Sequence, residues 1–436
     1  MKWAAPALLA LLILPTSRAL AAGDPWTALP PVPQPREAAA AATGADGRIY
    51  LIGGTDGYTG APDFLSVQTV RVDAYDPRSN AWSPAPALPL PRASFAAVGG
   101  RDGRIYALGG YTNGDVRLAN LDVYDPKTST WQSLAAMPTA RNGLAAAAGP
   151  DGRIYAMGGC SFEFNNRCNV LQTLEIYSPT SNSWITGPPM PTARASLAAA
   201  LGSDGRIYAI GGENESQQAL NVVEAYDPAS NAWSTAPSMP TVRSLLAATS
   251  GSDGRIYAIG GANDGLSANV GAIYGKVEIF DPRSGAWLIG KPMPQASHAL
   301  AAATGPDGRI YALAGANTFP IILDMAYAYS PAADTPAPPS PAPACQFILG
   351  FQNLHDLDSA DIGDCLENQH FEPNGDAIQF TVKGMLVWRK ADNWTAFTDG
   401  YRTWVYGPSG LQQRLNTQRF SWEANPTGLP VVSGSA

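Results

Sequence analysis

The sequence has little charge and few histidines. Only 15% of its 436 residues are charged, acidic residues outnumber basic ones by 36 to 28, and there are 3 histidines. The net charge of −8 disfavours nucleic acid and anionic membrane surfaces as partners. Beyond the N-terminal segment, no apolar run is long enough to cross a membrane. We therefore expect no nucleic-acid binding and no transmembrane anchor in the mature chain.

Cysteine is also scarce, and the four cysteines fall into two local pairs. Cys160 lies close to Cys168, and Cys345 lies close to Cys365. Two local disulfides are the simplest of the three possible connectivities, and no histidine sits at ligand spacing to either pair. We therefore predict two disulfides, an oxidising compartment, and neither a metal site nor a cofactor.

The N-terminus matches a signal peptide. Lys2 precedes the apolar run Ala4–Leu14, which is too short for an ordinary transmembrane helix. Ala19–Ala21 then supplies a small-x-small cleavage pattern. We predict a signal peptide over residues 1–21 and export to the medium, cell surface or periplasm, with an uncleaved membrane anchor as the alternative.

Glycine and proline are abundant, with 44 and 38 residues, which indicates many short elements joined by turns. The string Asp-Gly-Arg-Ile-Tyr recurs six times, starting at Asp46, Asp102, Asp151, Asp204, Asp253 and Asp307. Two apolar residues and Gly-Gly follow each copy, except that the last reads Ala314-Gly315. An aromatic residue comes next, at Tyr75, Tyr124, Tyr177, Tyr226, Phe280 and Tyr329. In five units a tryptophan follows seven residues later, at Trp82, Trp131, Trp184, Trp233 and Trp287.

The di-glycine, the aromatic residue and the tryptophan together resemble the kelch repeat, over residues 24–333. The resemblance implies a β-propeller in which each unit supplies four short strands. The innermost strand is alanine-rich, the second carries Arg-Ile-Tyr, the third ends at the conserved aromatic position of the repeat, and the fourth carries the tryptophan. The sixth unit lacks a tryptophan, whereas Trp26 precedes the first unit. We therefore predict an all-β, six-bladed propeller over residues 22–331, closed by the N-terminal strand.

Length variation predicts the recognition face. The spacing from each tryptophan to the next di-glycine is constant at 27 residues, so insertions fall only between the di-glycine and the third strand. Loops that vary on a fixed scaffold commonly carry recognition. Aromatic and acidic residues in these loops are candidate ligand contacts, namely Tyr58, Tyr111, Phe162, Glu163, Glu213 and Asp264.

An arginine begins the innermost strand of five units, at Arg36, Arg92, Arg141, Arg194 and Arg243, while the sixth unit has Ser297-His298 there. We predict that these arginines and His298 surround one mouth of the central channel on the same face. Guanidinium groups there would bind carboxylate or phosphate through forked hydrogen bonds. The alternative is that the arginines are scaffold residues that bond to backbone carbonyls of neighbouring loops.

The function class follows from the same residues. Some kelch propellers resembling galactose oxidase bind copper with two histidines, but only His298 lies in this propeller. Neither a hydrolase nucleophile elbow nor a phosphate-cradling loop is present. We predict a secreted, monomeric recognition protein that binds a protein or glycan ligand. The alternative is a carbohydrate-active enzyme similar to sialic-acid mutarotase, with Glu163, Glu213 or Glu215 as base and His298 as acid.

The C-terminal region departs from the repeat. Residues 332–344 form a proline-rich, extended spacer. Residues 345–436 predict a small, mainly-β domain that contains the second disulfide. The stretch from Gly384 to Arg414 resembles a tryptophan-containing module found at the ends of secreted bacterial proteins, which supports export and implies no chemistry.

Overall fold

The computed structural model describes residues 23–58, 66–162, 168–263, 272–317, 321–334 and 336, and beyond them only strand segments between residues 370 and 432. The chain divides into two compact units, Met1–Pro338 and Pro339–Ala436. No helix in the described ranges is long and apolar enough to span a membrane. The predicted signal peptide, the Cys345–Cys365 disulfide and most of the predicted spacer lie outside the described residues.

The first unit is a six-bladed β-propeller, as predicted, and every blade has four antiparallel strands. Blades 1 and 2 contain Ala40–Thr43, Ile49–Ile52, Val72–Asp76, Ala81–Ala85 and Ala96–Gly99, Ile105–Leu108, Leu121–Asp125, Thr130–Ser133. Blades 3 and 4 contain Ala145–Ala148, Ile154–Met157, Leu174–Ser178, Ser183–Thr186 and Ala198–Leu201, Ile207–Ile210, Val223–Asp227, Ala232–Ala236. Blades 5 and 6 contain Ala247–Ser250, Ile256–Ile259, Val277–Asp281, Ala286–Gly290 and Ala301–Thr304, Ile310–Leu313, Ala326–Tyr329, Trp26–Ala28.

The first strands of neighbouring blades contact one another around the central axis. Small side chains are needed there, and the middle channel-facing position of the first strand is alanine in every blade: Ala41, Ala97, Ala146, Ala199, Ala248 and Ala302. The second strand is fully buried in all six blades, because it packs between two neighbouring blades. This explains why its sequence is a short apolar run and does not alternate.

The Asp-Gly-Arg-Ile-Tyr string forms the turn between the first and second strands. In blade 3, Asp151 Oδ1 accepts the Arg153 amide at 3.1 Å, and Asp151 Oδ2 accepts the Tyr155 hydroxyl at 2.7 Å. Gly152 supplies the positive φ of 79° that the turn requires. Burial opposes ionisation, yet the hydrogen bonds from Tyr155 and Arg153 hold the pKa of Asp151 below its usual value. The side chains of Asp151, Arg153 and Tyr155, all from the repeated string, therefore stabilise the turn.

Aromatic residues join the blades. The Tyr177 ring lies 5.2 Å from Trp184 in its own blade and 6.1 Å from Tyr106 in blade 2. The Trp184 indole N–H donates to the carbonyl of Ala135, also in the preceding blade, at 2.8 Å. Equivalent contacts with the tryptophan recur in the other blades, with Phe280 in place of tyrosine in blade 5, and add directed interactions to the buried area.

The N-terminal strand completes blade 6, which confirms the predicted closure. Trp26 pairs with Tyr329 and Ala28 with Tyr327, in antiparallel register. The Trp26 side chain is buried, and its indole N–H donates to the carbonyl of Lys291 at 2.9 Å. The strand covers the edge that the sixth repeat would otherwise expose.

The described elements of the second unit are all β-strands. A six-stranded antiparallel sheet follows chain order through His370–Phe371, Ala377–Thr381, Gly384–Arg389, Trp394–Thr398, Arg402–Gly407 and Gly410–Leu415. Arg419–Phe420 pairs in parallel with Val431–Val432. These strands include the segment that the sequence pattern predicted to be β.

Candidate ligand-binding face

The variable loops all rise from one side of the disc. Each continues the second strand past the di-glycine and turns back toward the third strand. Three of them contain short hairpins, Thr55–Tyr58 with Ser66–Gln68, Tyr111–Thr112 with Val116–Arg117, and Cys160–Phe162 with Cys168–Val170. The other three are joined by the bridges Glu213↔Ala219, Ala262↔Ile273 and Ala316↔Ile322. We call these six hairpins the collar, and the side that carries them the collar face.

A ring of backbone hydrogen bonds narrows the channel at the collar face. Its members are the residues two positions after the arginine of each repeat, or after Ser297 in blade 6: Ala38, Ser94, Gly143, Ser196, Leu245 and Ala299. Each N–H donates to the carbonyl of the ring residue in the preceding blade, with N···O distances between 2.7 and 2.9 Å. All six have φ between 49° and 59°. Strands paired by such bonds lie about 4.8 Å apart, so a closed ring of six has a radius of about 5 Å.

Twelve further residues surround this axial ring. In each blade the residue before the ring residue bridges to the residue after the di-glycine: Glu37↔Thr55, Ala93↔Tyr111, Asn142↔Cys160, Ala195↔Glu213, Ser244↔Ala262 and His298↔Ala316. We call the ring and these twelve residues the axial cup. Sequence reasoning missed the ring because its residue types differ from blade to blade, and only their constant offset from the arginine marks them.

The five arginines do not line the mouth, and the prediction of an exposed guanidinium ring is wrong. All five side chains are fully buried. Each is paired with a carboxylate on the third strand of its own blade: Arg36 with Asp73, Arg92 with Asp122, Arg141 with Glu175, Arg194 with Glu224, and Arg243 with Glu278. A buried cation needs such a partner because desolvation penalises its charge. The scaffold alternative is the one that the geometry supports.

Arg194 shows how the scaffold works. Its guanidinium donates to Glu224 Oε2 and to the carbonyls of Gly211 and Val222, each at 2.8 Å. Burial lowers the pKa of Arg194, and the Glu224 carboxylate opposes that shift. Its backbone accepts a bond from Gly159 of the preceding blade at 2.8 Å. A Cβ on Gly158 would lie 2.4 Å from the Arg194 carbonyl, which explains the first glycine of the pair.

Blade 6 lacks both members of this pair. Ser297 replaces the arginine, and Tyr327 occupies the third-strand position of the carboxylate, since Tyr327 pairs with Ala312 as Asp73 pairs with Leu51. Ser297 is fully buried, and its hydroxyl donates to the Ala314 carbonyl at 3.3 Å. Blade 6 therefore lacks both the cation and its carboxylate, as expected if the two residues form a structural ion pair in the other blades.

The other predicted site residues are distributed differently. Tyr111, Glu213 and His298 belong to the axial cup. Tyr58 and Phe162 lie in collar strands, and Glu163 and Asp264 lie outside the described residues. Ser66 Oγ lies 3.5 Å from the Tyr111 hydroxyl, and the Arg117 guanidinium lies 5.7 Å from the Tyr111 ring. The Cys160–Cys168 disulfide ties the two strands of the blade 3 hairpin.

Comparison with known proteins identifies the repeat. A family model described as the kelch motif matches residues 38–89, 92–138, 141–191, 194–240 and 245–294. The chain belongs to the kelch family. A Kelch-like protein, terF, of Aspergillus terreus is 29% identical over 197 residues, which are 44% of this chain and 31% of that protein. The chain therefore matches under a third of that relative's length.

The fold of this kelch propeller is shared with a solved structure, that of YjhT. The two are 16% identical, the match covers 69% of this chain and 96% of that chain, and the TM-score is 0.57. At this identity the likeness concerns the fold alone. Function must therefore be argued from the axial cup and the collar of this chain.

Within the part of the chain that the structure describes, Asn142 Oδ1, Ser244 Oγ and His298 Nδ1 are buried polar atoms of the axial cup without a hydrogen-bond partner. They occupy the same position in three blades, directly after the arginine or Ser297. Buried polar atoms are rarely left unpaired, so a cluster of them calls for an explanation. Burial lowers the pKa of His298, so its imidazole is neutral at neutral pH. The cup therefore presents three polar atoms whose partners the described residues do not supply.

The channel beyond the ring is a different environment. A cavity of about 320 Å³ is lined by the first strands of all six blades. The hydroxyls of Thr43, Ser250 and Thr304 there donate to the carbonyls of Thr304, Leu201 and Ser250, at 2.8, 2.7 and 2.6 Å. Its alanine walls and satisfied hydroxyls offer little for specific recognition. Among the described residues, no cluster of three or more His, Cys, Asp or Glu could hold a metal ion.

Exposed apolar side chains concentrate on the collar face. Six of the eight exposed large hydrophobic residues in the described ranges lie there, in collar loops or just before a buried arginine: Val67, Val70, Leu90, Val116, Val242 and Ile321. The remaining two, Ile185 and Ile289, lie on fourth strands. An uneven distribution of this kind is typical of a protein-binding surface.

Charge is also uneven between the two faces. The six loops between the di-glycine and the third strand carry eight carboxylates and four basic side chains. The turns between first and second strands carry six carboxylates and seven basic side chains, and the turns between third and fourth strands, taken with the last residue of each third strand, carry four and three. The excess of negative charge therefore lies in the loops of the collar face.

Proposed function

We propose that this protein is an exported kelch recognition protein that binds a protein ligand on its collar face, with the ligand reaching into the axial cup. The unpaired buried atoms of Asn142, Ser244 and His298 are the observation on which the proposal chiefly rests. Such atoms are satisfied when a ligand supplies their partners. The exposed aliphatic residues of the surrounding collar favour a protein over a glycan, because exposed aliphatic patches are typical of protein-binding surfaces.

An enzyme acting on acidic sugars is less well supported. That alternative used the arginine ring to hold the substrate carboxylate, and those guanidinium groups are occupied by carboxylates inside the blades. Glu213, the candidate base, is almost fully buried and accepts a hydrogen bond from Ser196 Oγ at 2.9 Å. The arrangement suits recognition better than proton transfer to a bulky acidic substrate.

Export is part of the proposal. The signal-peptide pattern at residues 1–21 motivates it, and the Cys160–Cys168 disulfide in the collar is compatible with an oxidising compartment. Cleavage is tested by expressing the whole chain with its natural N-terminus and sequencing the product from the medium or periplasm. A product beginning at Ala22 supports export, and an intact chain retained in the cytoplasm contradicts it.

The collar-face proposal can be tested by blocking one side of the disc. Val116→Cys and Ile185→Cys place a thiol at sites of nearly equal exposure, 55% and 54%, on the collar and on an outer strand. Each mature variant is coupled to a polyethylene glycol maleimide and applied to a protein array and a glycan array. We expect the Val116 conjugate to lose the binding partners that the wild-type and the Ile185 conjugate retain. Equal binding by both conjugates would place recognition elsewhere.

A further inference from the structure

Blades 5 and 6 contribute no carboxylate, lysine or arginine to the axial cup, whose positions all lie within the described ranges. Their cup residues are Ser244, Leu245, Ala262, His298, Ala299 and Ala316. We call these six residues the neutral sector. Burial lowers the pKa of His298, so the imidazole adds no charge at neutral pH. A ligand group that enters this sector therefore meets hydrogen-bonding and apolar atoms and gains no ion pair from the six residues.

The neutral sector holds two of the three unpaired buried atoms of the cup, Ser244 Oγ and His298 Nδ1. Both residues directly precede a ring residue, and the ring bond from Ala299 N–H to the Leu245 carbonyl, 2.8 Å long, joins their two blades. Their position has a radius between about 5 Å, that of the ring, and about 9 Å, one Cα–Cα step farther out.

This radius decides which unpaired atoms one ligand group can reach. In a ring of six, equivalent positions in adjacent blades are separated by the radius, and those in opposite blades by twice the radius. The Cα atoms of Ser244 and His298 are therefore about 5 to 9 Å apart, whereas those of Asn142 and His298 are about 10 to 18 Å apart. One small polar group can bridge Ser244 and His298, and it cannot also reach Asn142.

The neutral sector includes the blade that departs from the repeat. In blade 6, the hydroxyl of Ser297 replaces the buried guanidinium and donates to the Ala314 carbonyl at 3.3 Å. In blade 5, Arg243 precedes Ser244, but its guanidinium donates to Glu278 inside the blade at 2.8 Å. Functional residues are expected where a regular pattern is broken. The exception at Ser297-His298 thus marks this side of the cup.

Hydrogen-bond chemistry limits what the ligand can offer. A serine hydroxyl donates and accepts, and a neutral imidazole donates from one nitrogen and accepts at the other. A group with both a donor and an acceptor can therefore pair with Ser244 and His298 in either tautomer. A carboxylate only accepts and an ammonium only donates, and each would lose its hydration without an opposite charge from the neutral sector.

We infer that the protein ligand inserts an uncharged side chain, a carboxamide or a hydroxyl, between Ser244 and His298 of the axial cup. The inference rests on the proposed function, because it assigns a chemistry to the same cup. A carboxamide with one hydrogen bond at its nitrogen and one at its oxygen spans up to about 8 Å. That reach suits the separation of the two residues.

The test applies the mature full-length protein to an array of short random-sequence peptides. The best binders are resynthesised with each Asn, Gln, Ser or Thr changed to alanine, and with each Asn or Gln also changed to the acid of the same shape. We expect one peptide position at which alanine lowers affinity by at least about tenfold. The acid at that position should lower affinity at least as much, because its charge is buried without a counter-charge.

A double-mutant cycle locates the contact on the protein. Ser244→Ala should itself lower the affinity for the selected peptides severalfold, because a hydrogen bond to the ligand is lost. The alanine change in the peptide should then cost at least about threefold less against Ser244→Ala than against the wild-type. Ser181→Ala is the matched control, because Ser181 is exposed in a turn between third and fourth strands. It should change affinity less than about twofold and leave the cost of the peptide change as it is.

Stability measurements separate a ligand contact from a structural role. Ser244→Ala removes a buried hydroxyl without a partner among the described residues, so its melting temperature should stay at or above that of the wild-type. His298→Phe keeps an aromatic ring and removes both nitrogens, and it should weaken the same peptides severalfold. Thermal unfolding verifies that each variant is folded. Folded variants of both residues with unchanged affinity would contradict the inference.

The outcomes distinguish this inference from the proposed function. Peptides that depend on a charged residue, and whose binding the Val116 conjugate loses, would overturn the uncharged side chain and leave the collar-face function standing. Glycans bound without any peptide would overturn the protein ligand and, with it, the inserted side chain. Binding that neither conjugate disturbs would overturn both proposals.

Discussion

At the scale of the residue, the buried arginine of five repeats links the strands of its own blade and bonds to the preceding blade. Arg194 joins the second and third strands of its blade through Gly211, Val222 and Glu224, while its backbone bonds to the preceding blade. The sequence alone places this arginine on the correct face but not in the correct role. The missed signal was the acidic residue two positions before the aromatic, which occurs in the five blades with arginine and is Tyr327 in the blade without it.

This role predicts a non-additive pair. Arg194→Met leaves the Glu224 carboxylate buried without its cation and should lower the free energy of unfolding by about 3 to 5 kcal/mol. Adding Glu224→Leu should restore most of that loss, because an apolar pair replaces a buried ion pair at little cost. Urea unfolding gives the free energy of unfolding of Arg194→Met, of the double variant and of the control variant. Arg153→Met, whose ion pair with Asp151 is partly exposed, is the control and should cost about 1 kcal/mol or less.

His298 predicts a pH effect on stability. Burial lowers the pKa of His298 below 6.5 in the folded chain, so the unfolded chain binds the proton more readily. The contribution of the neutral His298 to the free energy of unfolding is therefore fully present above about pH 6.5. It is lost as the pH falls from there to the lower pKa of the folded chain. The melting temperature of the wild-type should drop more between about pH 7.5 and pH 5.5 than that of His298→Gln. Parallel pH dependences for the two proteins would contradict this assignment.

At the scale of the element, the strands follow from the repeat because each segment carries its own turn signal. The Asp-Gly turn, the di-glycine and the aromatic position bound the second and third strands wherever they recur. The axial ring does not follow in this way. It depends on the backbone of six blades meeting at the axis, and alanine, serine, glycine and leucine all serve in it. Local patterns cannot report a contact that exists only after closure.

The two glycines of blade 3 predict different costs. Gly152→Ala should cost about 1 kcal/mol, because its φ is 79° and the added Cβ meets nothing within 4 Å. Gly158→Ala should cost about 1 to 3 kcal/mol more, because its Cβ would press on the Arg194 carbonyl of the next blade at 2.4 Å. Chemical denaturation compares the two, and equal costs would contradict close contact between blades at this joint. Ala314, at φ 61°, shows that blade 6 accommodates an alanine at the position equivalent to Gly158.

At the scale of the whole molecule, the N-terminal strand closes the disc. A variant that begins at Val32 lacks Trp26–Ala28 and exposes the edge strand Ala326–Tyr329. We expect a lower melting temperature and a tendency to aggregate through that edge. A synthetic peptide of residues 23–31 should raise the melting temperature in proportion to the logarithm of its excess concentration, since it binds the folded form. The same peptide with Trp26→Ala is the control and should have little effect.

The whole molecule also separates its two faces by role. The faces share one scaffold, but the collar face alone combines variable loops, most of the exposed aliphatic residues of the described part, and an excess of carboxylates. The sequence predicted from loop lengths that the variable loops gather on one face, and it did not predict the exposed aliphatic residues there. It could not predict the sign of charge at the axis, because that sign depends on whether each arginine turns toward the channel or into its blade.

The central claim is that ligands bind at the axial cup, and site-specific photocrosslinking tests it most directly. The photoreactive amino acid p-benzoylphenylalanine is incorporated at Tyr111 in the cup and, as a control, at the exposed Ile185 on an outer strand. The mature protein is irradiated with the partner identified on the arrays, and adducts are counted by mass spectrometry. We predict an adduct from position 111 and none from position 185. An adduct from position 185 alone would contradict the account.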